Sequence, residues 1–135
     1  MSAQTLRAPW TKSSEVDVRR AVVLALRALD VDEATVHEAA IVISELVANA
    51  LRHAKPLADG MIRVSWTVKS GVVEVEVGDG GGPTTPRLSP LSVFSSGGRG
   101  LRIVRGLAHE WGVLEDRVGR TVWVSLGGPS RRRSQ

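Results

Sequence analysis

Apolar and polar residues alternate along the middle of the chain with the period of a β-strand. Residues 62–68 and 73–77 each alternate strictly, so each segment predicts a strand with one buried face. Ser70-Gly71 lies between the two segments and predicts the turn of a hairpin. Shorter alternating segments predict three more strands, around residues 6–10, 111–114 and 120–126.

Two other segments carry apolar residues at helical spacing. The first follows Ser14, which could cap a helix together with Asp17 three residues later. Its predicted buried side comprises Val16, Val23, Leu26 and Leu29. The second segment begins after Asp32, a plausible cap, and runs to about Ala54 before Pro56 stops it.

The order of these elements predicts the fold class. Helices and strands mix without the regular β-α-β alternation of a doubly wound parallel sheet. We therefore expect an α+β fold, a two-layer sandwich whose mixed, mostly antiparallel sheet is covered by helices on one face. The predicted domain covers residues 14–126, between an N-terminal segment of residues 1–13 and a flexible basic tail of residues 127–135.

Composition removes several classes of function. With 42% apolar and 24% charged residues among 135, the chain is typical of one globular domain. It has no cysteine, which excludes disulfides, thiolate catalysis and cysteine–zinc sites. No apolar run approaches the ~18 residues of a membrane span, and residues 1–10 lack the pattern of a signal peptide. We therefore predict a cytoplasmic protein with no membrane partner.

The net charge of +4 lies mostly in the tail. Arg131, Arg132 and Arg133 supply three of these charges, and no other basic stripe is evident. Direct binding to nucleic acid is therefore the least favoured function, because such proteins usually spread basic residues over one face. It remains a third alternative, which predicts steeply salt-dependent binding that is lost when residues 127–135 are deleted.

The second helix has an unusual distribution of polar residues. Its apolar stripe comprises Val36, Ala40, Ile43, Val47, Ala50 and Ala54. Glu45 and Asn49, one turn apart, fall on the other side but are flanked by Ile41, Val42 and Leu46. They could simply be half-exposed and bonded to each other or to Arg52. Alternatively, Glu45 orients a nucleophile and the Asn49 oxygen ligates Mg²⁺, a cation that prefers oxygen.

Two glycine-rich segments are further candidates for ligand binding. The first glycine segment, residues 78–82, follows a strand and contains Asp79. Its backbone can approach a ligand, and the Asp79 carboxylate can accept hydrogen bonds from an exocyclic amine. Residues 97–100, Gly-Gly-Arg-Gly, precede a predicted short helix, and backbone N–H groups there with Arg99 suit phosphate oxygens. Each is weak alone, since turn aspartates and glycine turns are common. No Gly-Lys-Ser/Thr sequence of a Walker loop is present.

The order of these pieces resembles the GHKL (Bergerat-fold) ATPases, and most closely the anti-sigma-factor serine kinases of the RsbW and SpoIIAB type. The matching motifs are Glu45-x₃-Asn49-x₃-His53 on a helix, Asp79-x-Gly81 after a hairpin, Gly98-x-Gly100-Leu101 before a helix, and Gly119-x-Thr121 entering the last strand. The resemblance covers residues 14–126 and implies a Bergerat ATP-binding fold that takes ATP and Mg²⁺.

The resemblance also implies a role for each matching residue. Glu45 would be the general base that takes the proton from a substrate serine, and Asn49 would ligate Mg²⁺. Asp79 would bind the adenine amine, with Gly81 allowing the base to approach. The remaining ATP-binding residues would be His53, Gly98, Arg99, Gly100 and Leu101 near the phosphates and Thr121 beside adenine.

Two functions stay open on this resemblance. The first is a serine/threonine protein kinase that phosphorylates an anti-anti-sigma (STAS-type) partner, which retention of Glu45 favours. The second is a nucleotide-loaded module that sequesters a sigma factor or regulator without phosphotransfer. Pro83, at a position where the family usually has glycine, and the short segment 84–96 favour the second. A homodimer is possible in either case.

Overall fold

The structure is a computed structural model that describes residues 2–82 and 108–128. Its elements are β1 (Ser2–Pro9), α1 (Ser14–Ala28), α2 (Glu33–His53), β2 (Met61–Lys69), β3 (Val72–Asp79), β4 (Glu110–Glu115) and β5 (Arg120–Leu126). All five predicted strands and both long helices are confirmed. The short helix predicted after residue 100 lies largely outside the described residues.

The strands form one sheet in the order β1-β2-β3-β5-β4. Each of its four neighbouring pairs is antiparallel. The turn between β2 and β3 is Ser70-Gly71, where both residues have positive φ (52° and 80°), as a tight hairpin requires. The described sheet is thus entirely antiparallel, rather than mixed.

Both helices pack on the same face of this sheet, which we call the inner face. Every second residue of β2 and of β3 lies on this face. The residues of β5 that pair with those of β3 lie on it too. Its fully buried members are Ile62, Val64, Val73, Val75, Val124 and Leu126. From the helices, the buried residues include Val22, Leu26, Val42, Ile43 and Val47. The result is the two-layer α+β sandwich expected from the sequence.

The predicted buried side of α1 is confirmed at Leu26, partly confirmed at Val23, and wrong at Val16 and Leu29. The structure buries Ser14, Val18, Val22 and Leu26, which are spaced by four. Val16 is 40% exposed, Val23 is partly buried, and Leu29 lies just beyond the end of the helix. The helix starts at Ser14 itself, whose Oγ donates to the Pro9 carbonyl at 2.6 Å, so Ser14 fastens the helix to β1 instead of capping it.

The helix α2 is the central element of the helical layer. It begins after Asp32 and ends at His53, close to the predicted limits. It packs against α1 on one side and against β3 and β5 on the other. By length and composition α2 could cross a membrane, with a mean hydropathy of 1.3, but half of that window is buried inside the domain. Core helices of this kind pass the same test.

Candidate functional site

The end of α2 and the end of β3 are joined by a pair of backbone hydrogen bonds. Gly80 N donates to the Lys55 carbonyl at 2.7 Å, and Lys55 N donates to the Gly81 carbonyl at 2.9 Å. The first glycine segment therefore runs beside the last residues of the helix that carries Glu45 and Asn49. This junction places Asp79 and its glycines beside the C-terminal end of α2.

Glycine is needed at this junction because two backbones approach closely. A Cβ at Gly80 would lie 2.1 Å from the Pro56 carbonyl oxygen, and one at Gly82 would lie 2.8 Å from that of His53. Gly81 has φ +87°, in the region that favours glycine, and open space around it. The glycines of this segment are therefore required by the packing against α2 as well as available for a ligand.

Asp79 is the last residue of β3 and is buried, with 4% of its surface exposed. Its Oδ1 accepts a hydrogen bond from Gly81 N at 2.7 Å, which fixes the orientation of the carboxylate. Burial raises the pKa of Asp79 above its usual value, while the Gly81 N–H and the positive charge of Arg120 act in the opposite direction. A buried, oriented carboxylate of this kind can accept a hydrogen bond from a ligand amine.

Asp79 belongs to a row of three charged residues on the inner face, one on each of three adjacent strands. Asp79 of β3 is the register partner of Arg120 of β5, and Arg120 is the register partner of Glu115 of β4. Arg120 is 6% exposed, and its Nε lies 3.7 Å from Glu115 Oε1. We refer to these residues as the charged row. Its three residues lie on the same side of their strands as the apolar inner-face residues, so the charged row extends the inner face.

The turn between β4 and β5 sets the position of the charged row. Asp116 Oδ1 accepts hydrogen bonds from Val118 N at 2.8 Å and Gly119 N at 3.0 Å. A Cβ at Gly119 would lie 1.9 Å from the Asp79 carbonyl oxygen, so only glycine allows the turn to lie against the end of β3. Gly119 thus serves to bring Arg120 beside Asp79.

A cavity of about 280 Å³ opens between the end of α2 and the first glycine segment. It is lined by His53, Ala54, Lys55, Gly81 and Gly82. Two of the predicted ATP-binding residues, His53 and Gly81, therefore border the same space. The His53 side chain is exposed, and so it can reach a ligand without first leaving a packed position.

Glu45 and Asn49 lie one turn apart on α2, but their environments differ. Asn49 is 8% exposed, whereas Glu45 is half-buried. Within the described part of the chain, the Glu45 carboxylate makes no hydrogen bond or ion pair. The alternative in which Glu45 pairs with Asn49 or Arg52 is therefore not what the structure has. The Glu45 carboxylate is therefore partly accessible, whereas Asn49 is buried.

Thr121 is not brought together with the other predicted residues. Its Oγ1 accepts a hydrogen bond from the Arg63 guanidinium at 3.0 Å, and Thr121, Gly78 and Arg63 form one register row. That row lies on the outer face of the sheet, opposite Asp79, because successive strand residues alternate between faces. At this end of β5 the inner-face residue is Arg120, which the sequence analysis did not single out.

The remaining predicted site residues fall outside the described residues. These are Gly98, Arg99, Gly100 and Leu101, together with Pro83 and the arginines of the tail. For Mg²⁺, the described residues contain no cluster of three or more His, Asp or Glu side chains that could hold a metal alone. Asn49 could contribute one amide oxygen to a magnesium ion bound together with a nucleotide.

Comparison with known proteins shows the family. The model of the histidine kinase-like ATPase domain matches residues 9–126. The chain belongs to this family. The match includes α2, the first glycine segment and the charged row. It supports a nucleotide-binding regulatory module that takes ATP.

A solved structure with the same fold is that of the RsbU and RsbW domains of Rv1364c from Mycobacterium tuberculosis. The match has a TM-score of 0.70 and 21% sequence identity, and it covers 97% of this histidine kinase-like ATPase domain. The chain spans 34% of the length of that protein. No curated protein matches the sequence. At this identity the structural match establishes the fold alone.

Proposed function

We propose that this domain is a cytoplasmic protein kinase that transfers the γ-phosphate of Mg·ATP to a serine or threonine of an anti-anti-sigma-type partner. The observation that carries the proposal is the placement of Glu45. Its carboxylate is half-buried and unpaired within the described residues, one helical turn before the buried Asn49. A general base needs an accessible carboxylate close to the substrate hydroxyl and the reacting phosphate. One turn of helix separates Glu45 from Asn49, the residue proposed to hold the magnesium ion of that phosphate.

The described residues have separate roles in such a reaction, since some bind the nucleotide and its magnesium ion and one takes part in the chemistry. Asp79 binds the exocyclic amine of adenine, and His53 borders the cavity next to it. Asn49 contributes one oxygen to the magnesium ion, which neutralises phosphate charge when it is bound. Glu45 accepts the proton of the substrate hydroxyl. In phosphoryl transfer, positioning and charge stabilisation supply most of the catalysis, so each of these residues acts mainly by holding its partner in place.

The partner-switching context of the proposal comes from similarity. The fold match is to a protein with RsbU and RsbW domains, and the sequence resembles anti-sigma-factor kinases. We therefore propose a sigma factor, an anti-anti-sigma (STAS-type) protein or both as partners. A nucleotide-loaded module that sequesters its partner without phosphotransfer is the second candidate, because Pro83 directly follows the first glycine segment.

The first test of the proposal is nucleotide binding measured by calorimetry. Wild-type protein should bind Mg·ATP in preference to Mg·GTP, and Asp79→Asn should weaken ATP binding by at least about tenfold, because the substitution removes the charge that accepts the amine. Glu45→Gln is the matched control, since it should leave ATP affinity unchanged. A folded wild-type protein that does not bind ATP would refute the nucleotide site.

The second test distinguishes the kinase from the binding module. STAS-domain proteins encoded in the source genome are incubated with the protein and Mg·ATP, and phosphoserine and phosphothreonine are detected by mass spectrometry. Glu45→Gln should slow transfer by about 10²–10⁴-fold, the usual contribution of a general base. Transfer at the wild-type rate would refute the role of Glu45. Tight partner binding without any transfer would favour the sequestering module.

A further inference from the structure

The charged row places a buried arginine where the inner face meets the candidate adenine site. Arg120 lies between two carboxylates, Asp79 on one side and Glu115 on the other, and all three occupy one register row. The neighbouring inner-face residues of β5 are apolar, so the guanidinium is a departure from the pattern of its own strand. Burying a charge is costly without a charged partner. Arg120 forms an ion pair with Glu115 at 3.7 Å, and a second carboxylate, Asp79, occupies the adjacent register position.

We propose that Arg120 is a positioning residue that acts through Asp79, holding a positive charge beside this acceptor for the base, and that Glu115 sets how much of that charge acts on Asp79. The inference rests on the proposed nucleotide function and adds two residues to it. Glu115 lies outside the motifs from which the site was predicted, and Arg120 is the unspecified residue of Gly119-x-Thr121.

The electrostatics of the row support this assignment. Without compensation, burial would leave the Asp79 carboxyl protonated over a wider pH range, since its pKa is raised by desolvation. The Arg120 charge lowers the pKa of Asp79, whereas the negative charge of Glu115 raises it. The two neighbours therefore act with opposite sign on the same carboxylate. From the end of α2, His53 and Lys55 face the adjoining cavity.

The geometry explains why Arg120 rather than a surface residue can do this. The Cα atoms of register partners on adjacent antiparallel strands lie about 4.5–5.5 Å apart, so Arg120 and Asp79 extend from neighbouring positions on the same face of the sheet without any loop rearrangement. The turn at 116–119 fixes Arg120 at the first position of β5, and Gly119 lets that turn lie against Asp79. The row is thus built into the sheet before any nucleotide binds.

The experiment measures the Asp79 titration and ATP affinity in three variants. Carboxyl ¹³C NMR of the nucleotide-free protein follows the pKa of Asp79, and calorimetry gives the affinity for Mg·ATP between pH 5 and 8, values chosen to cover the usual range of a raised carboxyl pKa. Arg120→Met should raise the pKa of Asp79 further, because the positive charge that lowers it is removed, and should weaken ATP binding most at the acid end. Glu115→Gln should lower that pKa and extend ATP binding to lower pH.

A third variant and the opposite signs separate this role from a structural one. Arg120→Lys keeps the charge and should restore most of the wild-type titration, whereas a loss of packing alone would not depend on charge. The same Asp79 titration in wild type and Arg120→Met would overturn the inference while leaving ATP binding intact. If Arg120→Met and Glu115→Gln shift the pKa of Asp79 in opposite directions but the wild-type protein binds no ATP, both the role in base recognition and the proposed function are wrong.

Discussion

The inner face of the sheet is apolar along most of its length and charged at one end. Val75 and Val124 in the middle are fully buried, and Asp79 and Arg120 at the end are nearly as buried. Burying methyl groups stabilises the fold, whereas burying charges opposes it unless they are paired. The comparison teaches that burial alone does not distinguish core from site. The chemistry of what is buried makes that distinction.

The largest effect in this comparison should come from breaking the junction at the charged end. We expect Gly80→Ala to abolish ATP binding and to lower the free energy of unfolding by about 3 kcal/mol, because its Cβ would overlap the Pro56 carbonyl. Denaturant unfolding and calorimetry measure the two effects. Gly60→Ala is the control, since Gly60 has open space around it and its substitution is opposed only by its positive φ. Equal losses in both variants would contradict the steric explanation.

A smaller effect, on stability only, is expected in the apolar middle of the inner face. Val75→Ala removes two buried methyl groups and should lower the free energy of unfolding by about 2 kcal/mol. Its affinity for Mg·ATP at a temperature where the protein is folded should equal that of wild type. A change in affinity beyond about threefold would show that the two regions are coupled more closely than the comparison assumes.

The smallest expected effect is an increase in the free energy of unfolding, caused by a substitution at Asp79. Because the folded-state pKa of Asp79 is raised, the folded protein binds this proton more tightly than the unfolded chain does. Its contribution to stability is therefore greatest at acid pH and decreases as pH rises from the ordinary carboxyl range through the raised pKa. Asp79→Asn should then be more stable than nucleotide-free wild type at neutral pH, because the neutral amide does not carry the desolvation cost of a buried carboxylate. Urea unfolding at pH 7 and pH 4 tests this, and the difference should narrow at pH 4.

The strands were predictable because their alternation is strict, and the parity of that alternation determines which residues face the helices. The buried side of α1 was not predictable, since apolar residues occur around the helix and Val16 and Leu24 are exposed. In the site, Asp79 was identified from its glycines. Arg120 was missed because an arginine after a turn resembles a solvated residue. The available signal was that Arg120 alternates in step with Val122 and Val124, which predicts that it lies on their buried face. The same alternation places Thr121 on the other face.

The hydrogen bonds between Lys55 and the first glycine segment use main-chain atoms only. In a saturation mutagenesis of this domain, position 55 should therefore accept most side chains, whereas position 80 should accept none but glycine. Proline is the one exception expected at position 55, because it lacks the N–H that bonds to Gly81. The chain can thus vary its charge beside the cavity, and with it the electrostatic environment of a bound anion, without loosening the link between the helix and the sheet.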